Sequence, residues 1–334
     1  MRGSIEFFVR ESSNLLRSGF VVAIVGTLVV AIATPALADG AVPTTYRSEV
    51  TALAPDLPEI TVEVLGGDAF LSITADPGLT VEVPGYEGEP YLRFDPDGTI
   101  SVNINSPAYW LNDDRFGSVT LPPTATAEAA PDWREVGSGG TYAWHDHRIH
   151  WMSPNPPPGV DENQPTQIQT WLVPIVVDEK PVTVEGTLHW VPRQSPLPWL
   201  GVAVVAGVAS WFLTPLLALS LASLVALIFG LGQAITTPLG FASELLSFLP
   251  PLLALGLTVL GLVREAQPTM LGAIGAIFLG IWAGLRISYM TMPVLPLPVS
   301  PTLLRVGLAI VIGATLAAAA RIYLVMRNGS PGSR

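Results

Sequence analysis

The chain has 334 residues, of which 49% are hydrophobic and only 13% are charged. This composition excludes a single soluble domain and favours a membrane protein with a soluble part. Cysteine is absent, which excludes disulfides and thiolate metal sites and leaves His, Asp, Glu, Met and backbone oxygens as the available metal ligands.

Residues 1–38 are predicted to be a secretory signal peptide. A basic N-terminal region with three arginines precedes an apolar core over residues 20–33, and Ala36-Leu37-Ala38 has the small-residue pattern of a cleavage site. This basic N-terminal region is long for a signal peptide, so an uncleaved membrane anchor is the alternative. Either form places the following region outside the cytoplasmic membrane of a bacterium.

Residues 39–196 are predicted to form an all-β, antiparallel, sandwich-like extracytoplasmic domain. Short alternating or apolar runs such as Thr61–Leu65 and Phe70–Ile73 are separated by turn sequences, and Asp95-Pro-Asp-Gly98 is typical of a hairpin. The region has 23 acidic residues against seven basic ones. Such a charge balance repels nucleic acid and can attract cations.

Three segments of this domain carry a resemblance: Gly85-Tyr-Glu-Gly-Glu-Pro-Tyr-Leu-Arg-Phe94, Ser106–Asn112, and Trp144-His-Asp-His-Arg-Ile-His-Trp-Met152. The set resembles a family of bacterial membrane proteins with an exported β domain and a C-terminal helical bundle. The resemblance implies this architecture and no particular activity. A weaker likeness, in Trp171–Pro174 followed by Pro181–Gly186, is to the closing strands of exported copper-carrier β sandwiches.

The stretch Tyr142–Met152, YAWHDHRIHWM, contains three of the four histidines. As a regular strand it would place His145 and His147 on one face and His150 on the other. Two imidazoles on one face can share a metal ion, and a third ligand could be His189, an acidic side chain, or His150 if a bulge turns the strand. Among metals that imidazoles bind, copper best fits an acidic, thiol-free, exported domain.

A structural role for the same stretch is the open alternative. Asp146, Arg148 and His150 would share one face as an ion-pair ladder, with Trp144 and Trp151 as packing aromatics. The stretch would then be a docking surface for an envelope partner. The sequence contains no P-loop, Rossmann, serine-hydrolase or zinc-protease motif, so no catalytic residue is assigned and an enzyme is not favoured.

Five transmembrane helices are predicted between residues 197 and 326, at about 198–213, 215–236, 245–263, 270–287 and 303–325. The first is short for a hydrocarbon layer of about 30 Å. Since only Thr214-Pro215 separates it from the second, a re-entrant hairpin is the alternative to two spans. Five spans place most arginines and a tail over residues 327–334 in the cytoplasm, in agreement with the positive-inside rule.

The spans have no ionisable residue near their centres, which argues against an ion-coupled transporter. The spacing Gly280-Ile-Trp-Ala-Gly284 predicts a close helix contact, within the chain in preference to a partner. The sequence therefore favours a membrane-tethered extracytoplasmic binding protein that handles a transition metal, and the alternative is a structural or assembly subunit.

Overall fold

A computed structural model describes residues 40–264 and 267–328, where a region of antiparallel sheet precedes a set of apolar helices. The predicted signal peptide lies outside the described residues, as do residues 329–334 of the predicted tail. The described part of the chain belongs to one compact unit, so the sheet region and the helices can be related to each other.

Ten strands form the sheet region. They are β1 (Tyr46–Ala54), β2 (Ile60–Leu65), β3 (Phe70–Ala75), β4 (Val81–Pro84), β5 (Pro90–Phe94), β6 (Ile100–Asn103), β7 (Trp133–Gly137), β8 (Thr141–Trp144), β9 (Thr166–Val177) and β10 (Lys180–Trp190). Seven form a sheet in the order β1-β10-β9-β4-β5-β6-β7, and three form a second sheet in the order β2-β3-β8. Every ladder is antiparallel, which confirms the predicted antiparallel sheet region.

Alternating side chains build the core of this region. In β10 every second residue from Val182 to Trp190 is buried, as expected for a strand with one face on the core. β3 is buried at almost every position because it lies between β2 and β8. Side chains of both sheets, for example Leu71 and Val184, belong to one hydrophobic cluster.

Six α-helices are present in the described residues: α1 (Pro107–Leu111), α2 (Leu197–Trp211), α3 (Pro215–Thr236), α4 (Leu245–Arg264), α5 (Pro268–Leu285) and α6 (Pro301–Asn328). Four of them, α3 to α6, are long and apolar enough to cross a membrane, which indicates a multi-pass integral membrane protein. The apolar helix α2 has only 15 residues, so its crossing stays a prediction.

The helices are in close contact at positions other than the predicted one. A Cβ at Gly280 or Gly284 would meet no atom within 4 Å, so the expected contact within the chain at this pair is wrong. Instead α2 and α6 cross at Gly207 and Gly313, where a Cβ on Gly313 would lie 2.0 Å from the carbonyl oxygen of Ala203. Glycine is needed here because the two backbones touch.

The sheet region and the helices meet at a joint formed by Thr44 and Val294. Each donates its backbone N–H to the carbonyl of the other, at 3.0 and 3.2 Å. Gly67, in the turn between β2 and β3, lies directly against Val294. The buried side chain of Arg305 secures the same loop by donating to the carbonyls of Tyr289 and Met292, at 2.9 and 2.6 Å.

Candidate metal centre

The histidine stretch is not a continuous strand. β8 ends at Trp144, and His147–Ile149 forms a 3-10 turn, so the prediction of a strand through Met152 is wrong. Asp146 begins the turn: its Oδ1 accepts from the N–H of Arg148 at 3.0 Å, and its carbonyl accepts from the N–H of Ile149 at 3.2 Å. An aspartate that binds the backbone ahead of it competes with sheet hydrogen bonding, which ends the strand.

Asp146 is fully buried and anchors this turn to the core. Its carboxylate accepts from Nε and Nη2 of Arg148 at 2.8 and 2.6 Å and from Nε1 of Trp144 at 2.9 Å. Arg148 also donates to the carbonyl of Pro84 at 3.2 Å. The ion pair of the structural alternative is therefore present, but His150 is not part of it.

The turn brings three imidazoles together. His145, His147 and His150 each offer a ring nitrogen, and these nitrogens lie within 4.8 Å of one another. The ring centroids are 4.7 to 5.5 Å apart. Tetrahedral coordination with bonds of about 2.0–2.1 Å requires nitrogens roughly 3.4 Å apart, so modest side-chain movements would close the site.

His189 does not join this group. It lies on β10 opposite Arg47 of β1, and its Nε2 is 3.0 Å from Oγ1 of Thr187. Within the described residues, the group that can hold a metal comprises His145, His147 and His150. His150, which is expected on the opposite face of a regular strand, is thus the third histidine of the group in place of His189.

Each imidazole is oriented by one backbone carbonyl. Nδ1 of His145 is 2.7 Å from the oxygen of Ala69, Nε2 of His147 is 2.9 Å from that of Asp114, and Nδ1 of His150 is 3.1 Å from that of Trp151. Because a carbonyl only accepts, these three nitrogens carry the protons. The second nitrogen of each ring is left with a free lone pair, as in metal sites whose ligands are oriented by outer hydrogen bonds.

Two of these lone pairs have no partner. Nε2 of His145 and Nε2 of His150 are buried without a hydrogen bond, and the two side chains are only 6% and 1% exposed. A buried polar atom without a partner costs about 1–3 kcal/mol, so native proteins rarely retain one. A bound metal ion would satisfy both atoms.

The three imidazoles are neutral at physiological pH. Burial lowers the pKa of His145 to about 4 and that of His150 to about 3. Burial also lowers the pKa of the half-buried His147. Since only neutral imidazole binds a metal, the site is prepared for coordination without the loss of a proton.

Tyr86 positions His147. Its ring stacks on the imidazole, with centroids 5.6 Å apart and planes 12° from parallel, and its hydroxyl accepts from the N–H of His147 at 2.9 Å. The same hydroxyl donates to Asn112. Tyr86 is part of the GYEGEP segment, but the sequence gives no sign of this contact. The three carbonyls that orient the imidazoles cannot be predicted from the sequence either, because every residue has a backbone carbonyl.

Comparisons with protein families, with curated proteins and with solved structures gave no match to this chain. The geometry of the three histidines is therefore the main evidence for a function of this protein.

Proposed function

We propose that this is a membrane-anchored metal-binding protein whose β domain binds one transition-metal ion through His145, His147 and His150. The observation that carries the proposal is the cluster of three imidazoles, each with a ring nitrogen within 4.8 Å of the others, in which His145 and His150 each bury a nitrogen without any partner. Each ring is already held in the required tautomer by a backbone carbonyl.

The chemistry of the ligands selects the class of metal. Three imidazoles without a carboxylate suit copper, zinc or nickel, whereas calcium and magnesium require oxygen ligands. Copper is our first candidate, because the protein has no thiols and its β domain is acidic and, in this proposal, exported. The acidic surface would raise the local concentration of cations near the site.

The proposal includes a location. We propose that residues 39–196 form a sandwich-like domain outside the cytoplasmic membrane and that five transmembrane helices follow it. The shared hydrophobic cluster of the two sheets supports the sandwich. Arg321 of α6 donates to the carbonyl of Trp211, the last residue of α2, which supports a basic end of the bundle remote from the joint.

The second candidate is a structural subunit that docks an envelope partner through the histidine segment. The observation in its favour is that Asp146, Arg148 and Trp144 form a satisfied buried network without any metal. It does not account for the unpartnered nitrogens of His145 and His150.

Metal titration separates the two candidates. The full chain in detergent is titrated with Cu(II) and with Zn(II) under chelator competition, and the same is done for His145→Ala, His150→Ala and His189→Ala. We expect one ion per chain, with affinity reduced roughly 100-fold or more in the first two variants, because each loses one of three ligands. His189→Ala is the matched control and should bind like the wild type.

Binding no tighter than micromolar in the wild type would contradict the proposal and favour the structural subunit. Tight binding that survives both His145→Ala and His150→Ala would place the metal elsewhere in the protein.

A further inference from the structure

The neighbouring donors leave the fourth coordination position without a protein ligand. The group that can hold a metal includes, among the residues described, three histidines and no carboxylate. Both oxygens of Asp146 are bonded to Arg148. Oδ1 of Asp114 accepts from the N–H groups of Phe116 and Ser118, at 3.0 and 2.8 Å.

The hydroxyl of Tyr86 is committed as well. It donates to Asn112 and accepts from the backbone N–H of His147, so its proton and one lone pair are in use. Recruiting it as a ligand would break the contacts that hold His147 in place. A metal with three protein ligands and no fourth is typical of sites that keep a position for an exogenous ligand.

The charges around the cluster favour an anion in that position. The buried carboxylates Asp146 and Asp68 are each paired with an arginine, Arg148 and Arg115 respectively. The three imidazoles contribute no charge. Asp114 adds one carboxylate close enough to interact with His145 and His147. It offsets only one of the two positive charges that a divalent ion would bring, and a charge without compensation is costly to bury.

Arg115 is held beside the cluster by the loops that orient the ligands. It follows Asp114, whose carbonyl holds His147, and it pairs with Asp68, which precedes the Ala69 that holds His145. Arg115 is also among the charges that lower the pKa of all three imidazoles, as expected for a cation close to them. A guanidinium in this place can stabilise a small anion on the metal.

We propose that the metal bound by the three histidines keeps one exchangeable coordination position, and that a small anion of the hydroxide or carboxylate class occupies it beside Arg115. This inference rests on the proposed function. The half-buried His147 marks the side from which the anion reaches the metal, because His145 and His150 are enclosed.

Azide can serve as the probe anion. The full chain in detergent is loaded with Cu(II), unbound copper is removed, and azide is added while the electron paramagnetic resonance and absorption spectra are recorded. We expect a new azide-to-copper charge-transfer band and a changed resonance spectrum, with one azide bound per copper. In Arg115→Gln azide should bind roughly tenfold more weakly, because the nearby positive charge is lost.

Two further variants make the test specific. Arg93→Gln removes an arginine of β5 that is also paired with an aspartate, Asp95, and should bind azide like the wild type. Since Arg115→Gln leaves Asp68 buried without its partner, the double variant Asp68→Asn/Arg115→Gln removes the pair together. It should bind copper and show the same weakened azide affinity.

The outcomes distinguish this inference from the proposed function. A chain that binds no copper overturns both. Bound copper whose spectra do not change at azide concentrations far above that of the protein overturns the open position and leaves the metal site standing. Equal azide affinity in Arg115→Gln and Arg93→Gln would overturn the role of Arg115.

Discussion

At the scale of single residues, the candidate site depends on which nitrogen of each ring carries the proton. The carbonyls of Ala69, Asp114 and Trp151 decide this, and they lie far apart in the sequence. Three rings that each donate to a carbonyl cannot donate to one another across the cluster. The remaining lone pairs therefore find no donor among the three rings.

The buried histidines predict a specific loss of stability in acid. In metal-free protein the folded-state pKa is about 4 for His145 and about 3 for His150, whereas an unfolded histidine has a pKa near 6.5. The unfolded chain therefore takes up protons first as the pH falls below about 6.5. The free energy of unfolding should stay constant above that pH and fall by about 1.4 kcal/mol per pH unit for each histidine down to about pH 4.

This pH dependence can be measured by denaturant unfolding of the β domain in the full, chelator-treated chain in detergent. The double variant His145→Gln/His150→Gln should show a clearly shallower slope between pH 6.5 and 4, and His189→Gln should keep the slope of the wild type. An unchanged slope in the double variant would show that these two histidines are not buried in the neutral form.

At the scale of elements, the 3-10 turn His147–Ile149 depends on Asp146. Asp146→Asn removes the fully buried charge that holds the half-buried Arg148, and breaking a buried pair costs up to about 3–5 kcal/mol. We expect the β domain to lose stability of this order and metal affinity to fall, because His150 is no longer returned to the cluster. Thermal unfolding and metal titration of the full chain measure the two effects.

The matched control is Asp95→Asn. Its partner Arg93 lies 2.9 Å away, but both side chains are about 30% exposed, and such pairs contribute at most about 1 kcal/mol. Equal losses in the two variants would contradict the anchoring role of Asp146.

The sequence predicts regular elements better than this turn. Alternation predicts strands such as β10, and apolar length predicts helices such as α3, because periodicity and composition are local properties. The end of β8 depends on a contact between Asp146 and the following backbone, and on Arg148 and Trp144 closing over it. The sequence therefore shows the three histidines, but strand alternation places His150 on the opposite face from His145 and His147.

The crossing of α2 and α6 gives a prediction for the helices. In Gly313→Ala the new Cβ would lie 2.0 Å from the carbonyl oxygen of Ala203, so the helices must separate, at a cost of about 1–3 kcal/mol. In Gly280→Ala the new Cβ meets nothing within 4 Å, and the gain in helix propensity is up to about 1 kcal/mol. The thermal midpoint in detergent should fall in the first variant and stay or rise in the second. A lower midpoint for Gly280→Ala would point to a contact with a second chain.

At the scale of the whole molecule, backbone hydrogen bonds hold the β domain against the helices. The two hydrogen bonds between Thr44 and Val294 join the start of the domain to the loop between α5 and α6. Gln194, which precedes α2, adds a bond from its N–H to the carbonyl of Thr291 at 2.8 Å. The buried Arg305 holds the same loop through the carbonyls of Tyr289 and Met292, so these contacts tie the loop to both the domain and the bundle.

Alanine substitutions at two glycines with similar positive φ can test whether the turn before β3 supports this joint. Gly67 and Gly78 have φ of +87° and +97°, so alanine costs about 1–2 kcal/mol at either position. A Cβ on Gly67 would lie 2.5 Å from Cγ1 of Val294, whereas a Cβ on Gly78 meets nothing within 4 Å. We expect hydrogen exchange of the Thr44 and Val294 amides to accelerate in Gly67→Ala only. Equal exchange in the two variants would show that the turn does not support the joint.

The three carbonyls that orient the imidazoles come from separate parts of the chain, so the orientation of the proposed metal ligands depends on the folded state. An unfolded chain still carries the three histidines within six residues, but it cannot bring the turn before β3, the loop after α1 and the segment after β8 together to orient them. The proposed ion should therefore bind the native domain more tightly than the unfolded chain. Mass action then adds at most about 1.4 kcal/mol of stability for each tenfold excess of free metal over the dissociation constant, and binding to the unfolded histidines reduces this gain. Under metal starvation the domain would open more often and be exposed to proteases, and the amount of this protein in the membrane would follow the supply of metal.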